Sequence, residues 1–240
     1  MEKALILAAG FGSRLLPITK DIPKALVPVH GKPIIFKQID NLLENNIMDI
    51  TIISGYKAEM LEKVVHEYWP DIHIIESTNY ADTNNMYSAW LGIKTMFPER
   101  IGSFLMMNAD VFFDSSVITA LLNDKAQNAI VVDVGRYIEE SMKVVKKDDR
   151  LIAISKKITP EDALGSSIDV YKFSSSGGRA FYEACCCYIE NRKELKLWSE
   201  VALNDVLEEG VVPFQECPLD GRWYEIDNHD DLAAAIDLFA

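Results

Sequence analysis

The sequence is poor in most of the residues that mark a specialised chain. Its 240 residues hold four cysteines, twelve glycines and nine prolines. Three of the cysteines are consecutive, Cys185-Cys186-Cys187, and neither a C-x-x-C pair nor an alternation with histidine occurs. Metal sites need ligands that return to one point. These thiols therefore read as small apolar side chains around one helix, in a reducing cytoplasm. So few glycines and prolines exclude a collagen-like or low-complexity chain, and no internal repeat is present. No apolar run is long enough to span a bilayer. The run 4–9, preceded by Glu2 and Lys3 and ended by Gly10, is also too short for the core of a signal peptide. Positive charge is scarce as well: 24 Lys+Arg against 37 Asp+Glu leave a net charge of −13. A surface of that sign does not neutralise nucleic-acid phosphates or anionic lipid. An anionic ligand must then be met by a few cations gathered in one place.

What is present is an ordinary globular composition, 49% hydrophobic and 25% charged. A chain of this size buries roughly 70–75% of its unfolded surface, enough for a core without disulfide or metal staples. Residues 3–9 form a continuous apolar run suited to a buried parallel strand. Further strands at 49–54, 72–76, 103–108 and 129–134 alternate with helical patterns at 33–46, 58–69, 84–97 and 114–125, the last with Asp114 as its N-cap. This alternation predicts an α/β fold, a mostly parallel Rossmann-like sheet flanked by helices. Ligands of such sheets gather at the carboxyl ends of the strands. That rule singles out the loop after Ala9, the segment after Glu76, and Asn108-Ala109-Asp110. Beyond Val134 the rhythm changes to a hairpin of 143–147 with 151–156, a strand at 167–173 and helices at 176–191 and 198–208. Short strands near 213–217 and 223–226 and a helix from Asn228 follow. These read as additions to one edge of the first sheet. The expectation is one domain over 1–240, with a core at 1–135 and a strand-and-helix lid region at 136–240.

The loop after the first strand carries the clearest chemistry. It reads Leu7-Ala8-Ala9-Gly10-Phe11-Gly12-Ser13-Arg14, then Pro17-Ile18-Thr19, then Pro23-Lys24. Gly10 and Gly12 let backbone N–H groups approach an oxyanion, and Arg14 and Lys24 add the cations a polyphosphate demands. The dinucleotide fingerprint fails, because Leu15 takes the place of its third glycine and Pro17 would interrupt its helix. A Walker loop fails because no G-K-[S/T] occurs. The string G-x-G-x-R, P-x-T, P-K instead resembles the signature of the nucleotidyltransferases that make activated sugars and alcohols. Two further segments resemble the bacterial phosphocholine cytidylyltransferase branch of that superfamily. Trp223-Tyr224-Glu225-Ile226-Asp227 is similar to its W-x-E-I-D, and Asn84-Asn85-Met86-Tyr87-Ser88 to its N-N-x-Y-S.

The resemblance implies a nucleotide-diphospho-sugar transferase fold and Mg²⁺-dependent transfer of a cytidylyl group from CTP to a small phosphomonoester or phosphonate, releasing pyrophosphate. It implies metal ligands at Asp110 and Asp227. Both lie at predicted strand ends, and carboxylate oxygens suit that hard cation. It implies nucleotide contacts from Leu7, Ala8, Ala9, Gly10, Gly12, Arg14 and Lys24 and from Tyr80, Asn84 and Asn85. Lys156 matches the lysine of the Glu-Lys pair of sugar-1-phosphate members and would meet the acceptor phosphate; the choice between it and Lys157 stays open. Arg14, Lys24 and Lys156 are then the catalytic cations. Ser155 stands where those members carry glutamate, which weighs against a sugar. A quaternary ammonium acceptor would want aromatic faces and a carboxylate. Tyr171, Tyr188, Trp198, Trp223 and Tyr224, with Asp169 and Glu225, are the candidates. The alternatives are a uridylyl- or thymidylyltransferase acting on a sugar-1-phosphate, and a catalytically silent nucleotide-binding module. No nucleic-acid or membrane partner is expected, and the enzyme is expected to be a cytoplasmic monomer or homodimer.

Overall fold

The computed structural model describes residues 2–240. From β1 (Lys3–Ala8) the chain enters the glycine loop, which contains the single-turn helix α1 (Ile18–Asp21) and ends in a small hairpin, β2 (Pro28–Val29) with β3 (Lys32–Pro33). There follow α2 (Ile34–Glu44), β4 (Asp49–Ser54), α3 (Ala58–Tyr68), β5 (His73–Glu76), α4 (Asn85–Met96), β6 (Phe104–Asn108), β7 (Val111–Phe113), α5 (Ser116–Asn123) and β8 (Ala129–Val134). The second half holds β9 (Lys143–Lys147), β10 (Arg150–Ser155), β11 (Gly165–Phe173), α6 (Ser175–Cys186), α7 (Ser199–Glu209), β12 (Gln215–Pro218), β13 (Trp223–Glu225) and α8 (His229–Leu238). The consecutive cysteines lie where α6 passes into a π-helical turn, Cys187–Arg192, and all four thiols are free.

The strands β6, β1, β4 and β5 run parallel, with β1 between β4 and β6. Alternation along each strand divides the core into two. On β1, Ala4, Ile6 and Ala8 pack beneath α2, α3 and α5, beside Ile39, Leu61 and Val117. Leu5 and Leu7 point the other way, beneath α4, α6 and α7, beside Ile93, Phe181 and Leu203. Strands covered on both faces have no polar alternation, which is why 4–8 reads as a plain apolar run. Each fully buried Ile or Leu contributes ~1.5–3 kcal/mol of transfer free energy.

Two expectations are corrected by the sheet. Strand β11 was expected in an added lid region, but it runs antiparallel between β6 and β8 in the middle of the sheet. The fifth strand, β8, consequently touches β11 and β12 and not the parallel strands. Along its other side β11 pairs first with β9, through Gly165 and Ser166, and then with β6, through Val170–Phe173. Asp169 lies where the partner changes, at a break in register and with φ of 57°. Asp114, expected to cap α5, makes no cap hydrogen bond; its carboxylate instead accepts from Arg222 Nε at 3.0 Å and Nη2 at 3.2 Å.

Candidate active site

Strand β7 and its antiparallel pairing with β13 have no counterpart in the sequence reading, yet they assemble the acidic centre. Glu225 pairs with Val111, and Ile226 N donates to Asp110 O at 2.8 Å, so Asp227 is brought beside Asp110. The Asp110 turn is held from below by Gln38, a fully buried residue of α2. Its Nε2 donates to Asn108 O and to Val111 O, both at 2.8 Å. Asp227 precedes the capping box of α8, formed by Asn228 and Asp231, and its N–H donates to Asp231 Oδ2 at 3.0 Å.

Carboxylate oxygens of Asp110, Glu225 and Asp227 lie within 4.8 Å of one another. Asp110 Oδ1 is buried and has no hydrogen-bond partner among the described residues. Oxygen donors with an unfilled lone pair suit a hard divalent cation. Lys24 Nζ reaches across the group to Asp110 Oδ2 at 3.0 Å and Asp227 Oδ1 at 2.7 Å, and Arg14 Nη2 pairs with Asp227 Oδ2 at 2.7 Å. Burial pushes the Asp227 carboxyl up, but the charge and hydrogen bond of Lys24, with Arg14 and Lys156, bring it below the usual carboxylate range. Lys24 is the mirror case: burial lowers its pKa, and the two aspartates outweigh burial and raise it. Glu225 is pushed up to about 7 by burial and then by the charges of Asp110 and Asp227.

These groups line one cleft of about 330 Å³, at the carboxyl ends of β1 and β6. Leu7, Ala8, Ala9, Gly10, Gly12, Arg14 and Lys24 line it, together with Tyr80, Asn84 and Asn85. Gly12 sits at φ 68° and ψ 46°, left-handed geometry that turns the loop into Ser13–Leu15. Its carbonyl accepts from Leu15 N at 3.0 Å and Thr19 Oγ1 at 2.9 Å. Asn84 caps α4, its side chain accepting from Asn85 N at 2.8 Å.

Lys156, Asp169 and Glu225 also line the cleft, together with Met142, Trp198 and Glu200. Lys156 Nζ lies 5.1 Å from the centroid of the Trp198 ring, and Lys157 is exposed. Asn108 Nδ2 donates to Asp169 Oδ2 at 3.0 Å. Tyr171 Oη is 2.9 Å from Asp169 Oδ1 and 2.9 Å from Glu200 Oε1. A phenol has one hydrogen, so one of these two carboxyls must keep its own proton. Burial, then the charges of Glu200, Glu225 and Asp110, hold Asp169 well above the usual carboxylate range against the hydrogen bond from Tyr171. Burial likewise raises Glu200.

Three residues expected to meet the acceptor do not line the cleft. Tyr171 is core, with only its hydroxyl turned toward the acids behind the cleft wall. Tyr188 is buried under α7, its hydroxyl donating to Asp205 at 2.7 Å. Trp223 is buried, with Nε1 donating to Asp133 at 2.8 Å, and borders an adjoining cavity of about 190 Å³ that shares Arg14, Glu225 and Asp227 with the cleft. All three were chosen by residue type, and folding used the rings as core. Tyr224 borders that same smaller cavity. Asn108 lies in the strand end singled out by its position, whereas Glu200, an acid in the first turn of α7, stands in no motif.

Residues 3–237 match the family model described as "Nucleotidyl transferase". The CTP:phosphoglutamine cytidylyltransferase of Campylobacter jejuni is 29% identical over 98% of this chain and 99% of its own length. The choline-phosphate cytidylyltransferase of Streptococcus pneumoniae is 47% identical over 108 residues, 45% of this chain and 44% of that one. A solved structure of the CTP:phosphocholine cytidylyltransferase from Streptococcus pneumoniae superimposes with a TM-score of 0.80 and 25% identity, covering 99% of each chain. Among the described residues no helix is long and apolar enough to cross a membrane. The glycine loop with its two cations, set against an aspartate pair at the carboxyl edge of a parallel sheet, and a family match over nearly the whole chain make this protein an enzyme of the nucleotidyl transferase family, resembling within it the bacterial phosphocholine cytidylyltransferases.

Proposed function

We propose that the enzyme transfers a cytidylyl group from CTP to a small phosphomonoester or phosphonate and releases pyrophosphate. The observation that carries this reading is the convergence of Arg14, Lys24, Asp110, Asp227 and Lys156 on one cleft of about 330 Å³. The triphosphate lies against the Gly10–Gly12 loop, with Arg14 and Lys24 meeting its charge. The acceptor phosphate lies against Lys156. One of its oxygens, already anionic at neutral pH, attacks the α-phosphorus in line as the bond to the β-phosphate oxygen breaks. No general base is required, so catalysis consists of holding two polyanions together and neutralising their repulsion. Asp110 and Asp227 would hold a Mg²⁺ ion, which when bound supplies positive charge against the phosphate oxygens. The base is read by the backbone of Leu7, Ala8 and Ala9 and by Tyr80 to Asn85.

The acceptor end joins Trp198 to Asp169, Glu200 and Glu225. An aromatic face beside carboxyl groups suits an acceptor whose far end is cationic or rich in N–H donors. The names of the relatives, phosphoglutamine and phosphocholine cytidylyltransferases, support such an acceptor. The reading puts the reaction in the cytoplasm with its nucleoside triphosphate. The test is pyrophosphate release from CTP, UTP, dTTP, ATP and GTP, each against phosphocholine, phosphoethanolamine, 2-aminoethylphosphonate, phosphoglutamine and glucose-1-phosphate. CTP with one of the nitrogen-bearing acceptors should dominate. Preference for UTP or dTTP with the sugar phosphate would reject the reading.

A further inference from the structure

Lys143 opens β9 and is completely buried, yet no carboxylate forms an ion pair with it among the described residues. Its ammonium donates to Glu139 O at 2.8 Å and to Lys156 O at 2.6 Å, and lies 5.0 Å from the centroid of the Tyr137 ring. Burial, and then the like charge of Lys156, hold its pKa below that of an ordinary lysine, with Glu139 and Glu140 opposing. An ammonium without a counter-ion is a costly way to fill a core position. Methionine would fill the same space with no charge to desolvate. What only the lysine side chain provides is the pair of hydrogen bonds, and these hold two segments that lead away from the β9–β10 ladder, where Lys143 itself pairs with Ser155.

One is the connection 135–142 between β8 and β9. There Ser141 Oγ donates to Glu225 Oε2 at 2.9 Å, and Met142 lines the cleft. Ser166 of β11 holds the same connection, accepting from Ile138 N and donating to Arg136 O, both at 3.0 Å. The other segment is the end of β10, from which Lys156 extends over Trp198. The connection whose Ser141 holds Glu225 and the segment that carries Lys156 are thus tied by a buried cation in addition to the Lys143–Ser155 pairing.

We propose that Lys143 is a positioning residue for the acceptor: its ammonium clips the 135–142 connection to the end of β10 and so sets Lys156 against Glu225, without touching substrate. The functional part rests on the acceptor phosphate lying against Lys156; the clip itself does not. Lys143→Met in the full chain tests both.

Hydrogen exchange of the nucleotide-free protein, read by mass spectrometry, needs no substrate. Exchange in peptides covering 136–142 and 153–157 should accelerate by about tenfold or more while 3–8 keeps its protection. Unchanged or uniformly raised exchange overturns the clip. In steady-state pyrophosphate release with CTP and phosphocholine, or whichever acceptor turns over in the substrate matrix, the KM for acceptor should rise about tenfold or more, with kcat and the KM for CTP within about threefold of wild type. A KM for CTP that rises equally, or an acceptor KM that stays put, overturns the positioning role. Ser166→Ala frees the same connection without altering Lys143 and should move the acceptor KM in the same direction; an unchanged value counts against the proposal even if Lys143→Met fails to fold. A wild-type enzyme that turns over no acceptor removes the cytidylyl reading and leaves the exchange result to decide the clip.

Discussion

Lys24 Nζ lies 2.7 Å from Asp227 Oδ1, and the same nitrogen is 3.0 Å from Asp110 Oδ2. A side chain therefore bridges the two carboxylates to which we assign the metal. Removing it leaves Asp110 without a cation and Asp227 with Arg14 alone, in a site where all three partners are largely buried, a loss of up to ~3–5 kcal/mol. Lys24→Met is expected to melt lower than wild type, and added Mn²⁺ should recover part of the difference. The variant should also bind Mn²⁺ without nucleotide about tenfold tighter than wild type, by electron paramagnetic resonance titration, because a competing cation is gone. Turnover should fall by about 10²-fold or more, since the lysine is lost to the phosphates. Equal Mn²⁺ affinity in the two proteins would show that Lys24 does not guard the site.

The metal assignment has its own test. Excess chelator should stop pyrophosphate release and Mg²⁺ should restore it. Asp227→Asn keeps the size of the side chain, and its backbone N–H can still donate to Asp231. It should raise the Mg²⁺ concentration for half-maximal rate by about tenfold and cut kcat by about 10²-fold or more. A variant with a normal Mg²⁺ curve would remove Asp227 from the ligand set.

Tyr171, Asp169 and Glu200 predict a pH dependence. Because burial raises both carboxyls, the folded protein holds protons that the unfolded chain has already lost above the ordinary carboxylate pKa. Stability contributed by this cluster is therefore greatest at acid pH and declines as pH rises toward the raised values. The Tyr171 hydroxyl opposes the rise at Asp169. Tyr171→Phe should thus cost about 1–3 kcal/mol, with a deficit larger at pH 8 than at pH 5. Denaturant melts at the two pH values check it, and a deficit that shrinks toward pH 8 would contradict the shared-proton arrangement.

How much of this was legible in sequence depended on what each residue needed around it. Strands 3–8, 49–54 and 104–108 announce themselves because burial on both faces demands mostly apolar residues on either side of the strand. The glycine loop is legible because polyphosphate binding needs glycine and cations at close spacing. β7 is not, since three residues after Asp110 offer no period to read, and its partner Trp223–Glu225 is far away in the chain. The place of β11 is equally hidden: local pattern identifies it as a strand but not as the one inserted between β6 and β8. Asp169 was visible as an acid and its neighbour Glu200 was not, because only the fold brings the start of α7 to a register break in β11. Aromatic type alone misplaced Tyr171, Tyr188 and Trp223.

The two glycines of the loop should respond differently to substitution. Gly12 has φ of 68°, and a Cβ there would lie 2.9 Å from Lys24 Cβ. Alanine in that conformation costs ~1–2 kcal/mol before any clash. The loop has little room to adjust, because the Gly12 carbonyl is held by Leu15 N and Thr19 Oγ1. Relief comes from pushing Lys24 away from Asp110 and Asp227, or from opening the turn that presents Arg14. Either movement disturbs the triphosphate cations, so Gly12→Ala should lower the melting temperature by roughly 3–8 °C and weaken CTP binding about tenfold or more. A Cβ on Gly10 meets nothing within 4 Å. Gly10→Ala should keep the wild-type melting temperature and still bind CTP less well, because the open space over its backbone is where we place the phosphates. Titration calorimetry with CTP separates the two cases. Unaltered CTP affinity in Gly10→Ala would move the triphosphate off this loop, and unaltered affinity in Gly12→Ala would mean that the coupling between the turn and Lys24 does not matter for binding.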